Sequence, residues 1–143
     1  MKITRHRVFE TNSSSTHSIT FDGKSTTPSS DWDISSDMVN TTITTATSEF
    51  GWGKDIYDDF YTKLSYLATF ILHHSEGLNG PDHEKLNGVI KEYLNSELII
   101  NDGNGHIDHQ SVDLAGDVLS ETKEYIANYL FNKMVTLIID SDG

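Results

Sequence analysis

The stretch Phe9 to Ser18, FETNSSSTHS, gathers a carboxylate, an amide, a run of hydroxyls and an imidazole close behind the only arginines of the chain, Arg5 and Arg7. On a strand those two arginines share one face. Guanidinium forks combined with hydroxyls and loop amides are the groups that bind a phosphate or a carboxylate. Arg5, Arg7, Asn12, Ser13, Ser14 and Ser15 are therefore the candidate ligand-binding residues. His17 is the candidate general acid or base, and Glu10 the residue that orients it or holds a metal. An ionised Glu10 opposes an anion unless it pairs with an arginine or a cation, and no nucleophile-elbow spacing singles out a serine. The plainer account is a polar turn, in which Asn and Ser side chains bond neighbouring amides and Glu10 pairs with Arg7 at the surface. Both accounts stay open on the residues alone.

Other groups could bind metals. In HIDHQ, His106, Asp108 and His109 offer three ligand types within a short span. On a strand, however, His106 and Asp108 share a face that His109 does not, so convergence needs a bulge. A calcium-loop reading of Asp102, Asn104 and His106 fails, because Ile107 stands where that loop needs glycine. A surface hairpin with hydrogen-bonding histidines is the plainer account. His73 and His74 fall at the end of a helical pattern, where the C-terminal dipole is reason enough for them. In FGWGK, Phe50 to Lys54, two glycines flank Trp52 ahead of a helix. That is an anion-receiving geometry without a dinucleotide or P-loop fingerprint, and Trp52 over the core edge is the simpler role.

The segment RVFETNSSSTHS, Arg7 to Ser18, resembles the N-terminal signature of a family of uncharacterised proteins from tailed phages and their bacterial hosts. There an arginine, a Phe-Glu-Thr-Asn run, several serines and a His-Ser pair open the chain. EFGWG followed by KLSYLATFIL resembles a second block of the same family. The resemblance implies a phage or prophage context and a recurring loop; it supplies no catalytic assignment.

The elements that must position these residues follow from period and punctuation. At 143 residues the chain suits one domain, burying roughly two thirds of its unfolded surface. KITRHRVF and HSITF read as strands joined by the polar motif, and the β-branched run MVNTTITTA as a third. Ile56, Phe60, Leu64, Leu67 and Ile71 form a helical stripe capped by Asp55 and ending by Gly77. Pro81 opens a second helix with Leu86, Val89, Ile90, Tyr93 and Leu94 inward, and Gly88 beside them for close packing. Asp102-Gly103 signals a hairpin between Glu97–Asn101 and Gly105–Ser111. A third helix carries Ala115, Val118, Leu119, Tyr125, Ile126, Tyr129 and Leu130, and MVTLII closes as a strand. The expected fold is α+β: about five to six strands in one mixed or antiparallel sheet with three helices, ordered βββ, αα, ββ, α, β.

Charge sorts the partners. The net charge is -12, with 22 acidic residues against 10 basic ones, which opposes direct nucleic-acid binding. From Ser25 to Tyr61 the acids Asp31, Asp33, Asp37, Glu49, Asp55, Asp58 and Asp59 face one cation, Lys54. They form either a solvated face or a phosphate-mimicking surface for a basic protein. Cysteine is absent, so disulfides and thiolate chemistry are excluded. No signal-peptide core or membrane-length run is present, and the expected location is the cytoplasm, where the sequons at Asn12 and Asn40 have no meaning. Two functions follow: a small acidic phage or prophage accessory protein binding a host protein, or a small-ligand binder or enzyme acting on a phosphorylated or carboxylated compound. The cofactor and the oligomeric state are left unassigned by the sequence.

Overall fold

A computed structural model of the chain describes residues 3–5, 15–22, 32–50, 54–105, 107 and 113–141. Among them, β1 (Ile3–Arg5), β2 (Ser15–Asp22), β4 (Lys54–Tyr57) and β6 (Val135–Ser141) make an antiparallel sheet in the order β1-β2-β6-β4. A separate parallel pair joins β3 (Thr42–Ala46) to β5 (Glu97–Asn101). The helices are α1 (Phe60–His74), α2 (Pro81–Leu94), α3 (Asp113–Leu119) and α4 (Lys123–Phe131), with a short 3-10 turn at Ser36–Met38. The expected single sheet is thus two sheets, and the expected three helices are four. No helix among the described residues is long and apolar enough to cross a membrane.

β6 is the central strand because Val135, Leu137 and Ile139 bury one face while its two edges pair with β2 and β4. That pairing overrides the local pattern at Ile56. The residue continues the helical stripe in sequence, yet it lies in β4 opposite Ile138 and is 67 % exposed. α1 starts four residues later, where Asp59, rather than Asp55, accepts the Thr62 N–H at 2.9 Å. Phe60, Leu64, Leu67 and Ile71 then fill the core as the spacing predicts, each contributing roughly 1.5–3 kcal/mol by burial. α2 opens at Pro81, ends on Asn95 in the left-handed region (φ 52) and buries Leu86, Val89, Ile90 and Leu94. A Cβ at Gly88 would meet the end of the Lys123 side chain, with Nζ at 3.2 Å.

Among the described residues the Asp102-Gly103 signal makes no hairpin, and most of the expected second strand, Gly105–Ser111, lies outside them. β5 runs parallel to β3, and Phe50 and Ile107 form a parallel bridge beyond it. Thr47 explains the change. Its Oγ1 accepts the N–H groups of Gly103 (2.8 Å) and Gly105 (3.1 Å), so the turn wraps around the chain leaving β3. A Cβ at Gly105 would strike the Ser48 main chain, which leaves glycine as the fitting residue. The expected long third helix is interrupted at Ser120 to Thr122, because the Thr122 hydroxyl accepts the Tyr125 N–H at 3.1 Å and starts α4 afresh.

Candidate functional site

His17 lies on β2 opposite Ile139, on the face of the sheet that turns to the helices. It is 0 % exposed. Its Nδ1 shares a hydrogen bond of 2.9 Å with the Tyr66 hydroxyl of α1, and the Phe50 ring meets Tyr66 edge-on with centroids 5.0 Å apart. Burial pushes the Tyr66 hydroxyl far above its ordinary pKa, so it stays neutral. The imidazole therefore joins the end of the polar motif to α1. A proton-transfer role would require a substrate to reach a ring that has no exposed surface here.

Arg5 pairs with Thr20 at the end of β1, and Ser15 pairs with Ser141 at the start of β2. Arg7, Glu10, Asn12, Ser13 and Ser14 lie outside the described residues, as do Trp52, Asp31 and the metal candidates His106, Asp108 and His109. Among the described residues no group of three His, Asp or Glu side chains could hold a metal ion.

The two histidines ending α1 have specific partners. His73 Nε2 lies 3.0 Å from Asp102 Oδ1, and the Ile107 N–H donates to His74 Nε2 at 3.4 Å. Asp102 also accepts from the Asn104 N–H at 2.8 Å and the Thr47 hydroxyl at 3.2 Å. These bonds, the Asn104 N–H foremost and His73 next, hold its carboxyl below the usual range. The cluster pins the turn after β5 to α1.

Lys63 belongs to no sequence motif, although its spacing places it on the inward side of α1, three residues after Phe60 and one before Leu64. Its side chain is fully buried and donates to the carbonyls of Asn132 and Val135, both at 3.0 Å. Burial pushes its pKa down to about 8, while Asp58 and Asp59 pull it back up. With two of its N–H groups directed at the main-chain carbonyls of Asn132 and Val135, it clamps the turn between α4 and β6.

Three of the acidic residues line one cavity. Trp32 Nε1 donates to Asn128 Oδ1 at 2.9 Å, and the indole packs 5.5 Å from the Phe131 ring. The Asp33 N–H then donates to the Phe131 carbonyl at 2.6 Å. This anchor brings Asp33 beside Asp58 and Asp59 around a cavity of about 290 Å³ walled by Phe60, Tyr61 and Phe131. Lys133, 3.6 Å from Asp33, is the cation at its rim. Comparison of the chain with protein-family models, with curated proteins and with solved structures found no match.

Proposed function

We propose that this chain is a small acidic accessory protein of a phage or prophage that acts by binding the basic surface of a host protein. The observation that carries the reading is the meeting of Asp33, Asp58 and Asp59 around an aromatic-walled cavity, in a chain of net charge -12. Aromatic walls supply contact area and the carboxylates supply charge complementarity, which governs the rate and selectivity of association. The resemblance of Arg7 to Ser18 to the phage family supports the context. Such a complex weakens with salt, since exposed charges are screened within about 8 Å at physiological ionic strength.

The test is retention of bacterial host proteins by the immobilised chain at low and at high salt, compared with a variant carrying Asp33→Asn, Asp58→Asn and Asp59→Asn, asparagine at 59 still serving as a helix cap. The expected result is a set of proteins with basic surfaces that high salt releases and the variant fails to hold. Equal retention by the variant would end the reading.

A second reading, a small-ligand binder or enzyme acting on a phosphorylated or carboxylated compound, rests on the anchoring of the polar motif by His17 to α1. Because His17 is buried, its alanine variant loses stability for a structural reason, so Glu10→Gln is the informative change. A thermal shift with divalent metals, nucleotides or phosphorylated metabolites that disappears in Glu10→Gln would favour this reading over the first.

A further inference from the structure

We propose that the edge of β3 turned away from β5 receives an extended basic segment of the protein partner as an added strand, lodged in the groove that Tyr57 and Tyr61 border. The proposal rests on the partner-binding reading above and names how the partner is held.

The main-chain geometry of β3 fixes which groups are offered. Glu97 N–H donates to Thr41 O and Thr47 N–H donates to Asn101 O, both at 3.0 Å, with Thr42, Thr44 and Ala46 in register with Glu97, Ile99 and Asn101. In a parallel ladder only alternate residues bond to a given neighbour. Residues 41, 43, 45 and 47 thus direct their N–H and C=O groups at β5, and Thr42, Thr44 and Ala46 direct theirs the other way. The Ala46 carbonyl confirms the direction, since it accepts the Ser65 hydroxyl of α1 at 2.6 Å. Among the described residues β3 pairs with β5 alone. The N–H groups of Thr42, Thr44 and Ala46 and the carbonyls of Thr42 and Thr44 therefore face no strand among the described residues. β3 also lacks the usual protections of an edge: it has no proline, no lysine and no bulge.

Beyond that edge lies an open groove of about 430 Å³, lined by Thr44, Ser48, Phe50, Tyr57 and Tyr61 among others. Tyr57 belongs to β4, itself the outer strand of the four-stranded sheet. The groove runs between the edge of β3 and the start of α1, where Thr62 and Ser65 also line it, with Tyr57 at the end of β4 beside them; a peptide strand there gains main-chain bonds on one side and side-chain contacts on the other. Tyr61, 47 % exposed, stands at its lip and also borders the acidic cavity, so the two depressions are neighbours on one surface.

Charge chooses the occupant. A second copy of the chain would bring another net charge of -12 to the same edge. Asp55, two positions before the groove residue Tyr57 in β4, and Asp58, next to Tyr57, are exposed. An extended segment with lysine or arginine at alternate positions satisfies the threonine edge with its backbone and these carboxylates with its side chains.

The test uses the full chain and a synthetic heptapeptide alternating lysine and valine, with two companion peptides N-methylated at the odd or at the even residues. Amide hydrogen exchange and fluorescence anisotropy are read at low salt. The expected result is slower exchange at Thr42, Thr44 and Ala46, with Ile43 and Thr45 unchanged, and roughly tenfold weaker binding of one methylated peptide but not the other. Equal binding of both methylated peptides, or protection without alternation, would overturn strand addition and leave charge-driven docking in place. No binding of the unmethylated peptide would also overturn strand addition, while the salt-dependent retention of host proteins judges the partner reading separately. Thr44→Pro removes one outward N–H without touching the bonds to β5, and it should weaken the unmethylated peptide by a similar factor.

Discussion

Exchanging Lys63 for methionine keeps much of the side-chain volume inside the core and removes the charge. In the native chain the buried ammonium donates to the carbonyls of Asn132 and Val135 at 3.0 Å. Its pKa falls from 10.5 to about 8, chiefly by burial, which corresponds to about 3 kcal/mol against the charged form. Between these two values the unfolded chain binds more protons than the folded one, so the free energy of unfolding rises with pH across that window. Below it both states are protonated and the group adds no slope. The methionine variant lacks the rise altogether. Near neutral pH it escapes the cost of burying a charge but leaves two carbonyls unpaired, at about 1–3 kcal/mol each, so the two chains should be of similar stability there. Tyr66, Tyr125 and Tyr129, all pushed up by burial, act with the opposite sign as pH passes their unfolded values. They are common to both chains and cancel in the difference. Urea unfolding followed by tryptophan fluorescence from pH 7 to 10.5 should show the native chain gaining about 3 kcal/mol on Lys63→Met. Stability curves that run parallel would refute the assignment of a depressed lysine to this position.

Three further outcomes are expected. Tyr66→Phe removes the hydroxyl that meets His17 Nδ1 and should cost about 1–3 kcal/mol in denaturant unfolding, the penalty for depriving a buried polar group of a partner; an unchanged midpoint would mean the bond contributes nothing. Thr47→Val keeps the shape but deprives Gly103 and Gly105 of their acceptor, and should cost about 1–3 kcal/mol and speed amide exchange at those glycines. Asp59→Ala removes the cap on the Thr62 N–H and should cost about 1 kcal/mol, whereas Asp55→Ala, at the position the sequence pattern favours as the cap, should leave helix stability unchanged.

The local sequence determined those elements whose signals are contained within themselves. α2 is the clearest: Pro81 starts it, a left-handed Asn95 ends it, and Leu86, Val89, Ile90 and Leu94 face inward as their spacing requires. The Thr-rich alternation of β3, with Ile43 and Thr45 buried between exposed neighbours, was likewise legible. Tertiary pairing decided the rest. Ile56 extends a helical stripe on paper, but β6 offers it a strand partner, and a ladder with Ile138 replaces the first turn of the helix. Asp102-Gly103 has the composition of a hairpin, but its amides bond to Thr47, a residue far away in sequence, and β5 joins a parallel partner instead. The same distance in sequence hides the site. His17 and Tyr66 are separated by 49 positions, and Asp33 reaches Asp58 and Asp59 only because Trp32 is anchored on α4. Composition supplied the charge, and periodicity supplied the faces. Which charges stand together, and which strand edge is left open beside them, depended on contacts that neither periodicity nor local spacing encodes.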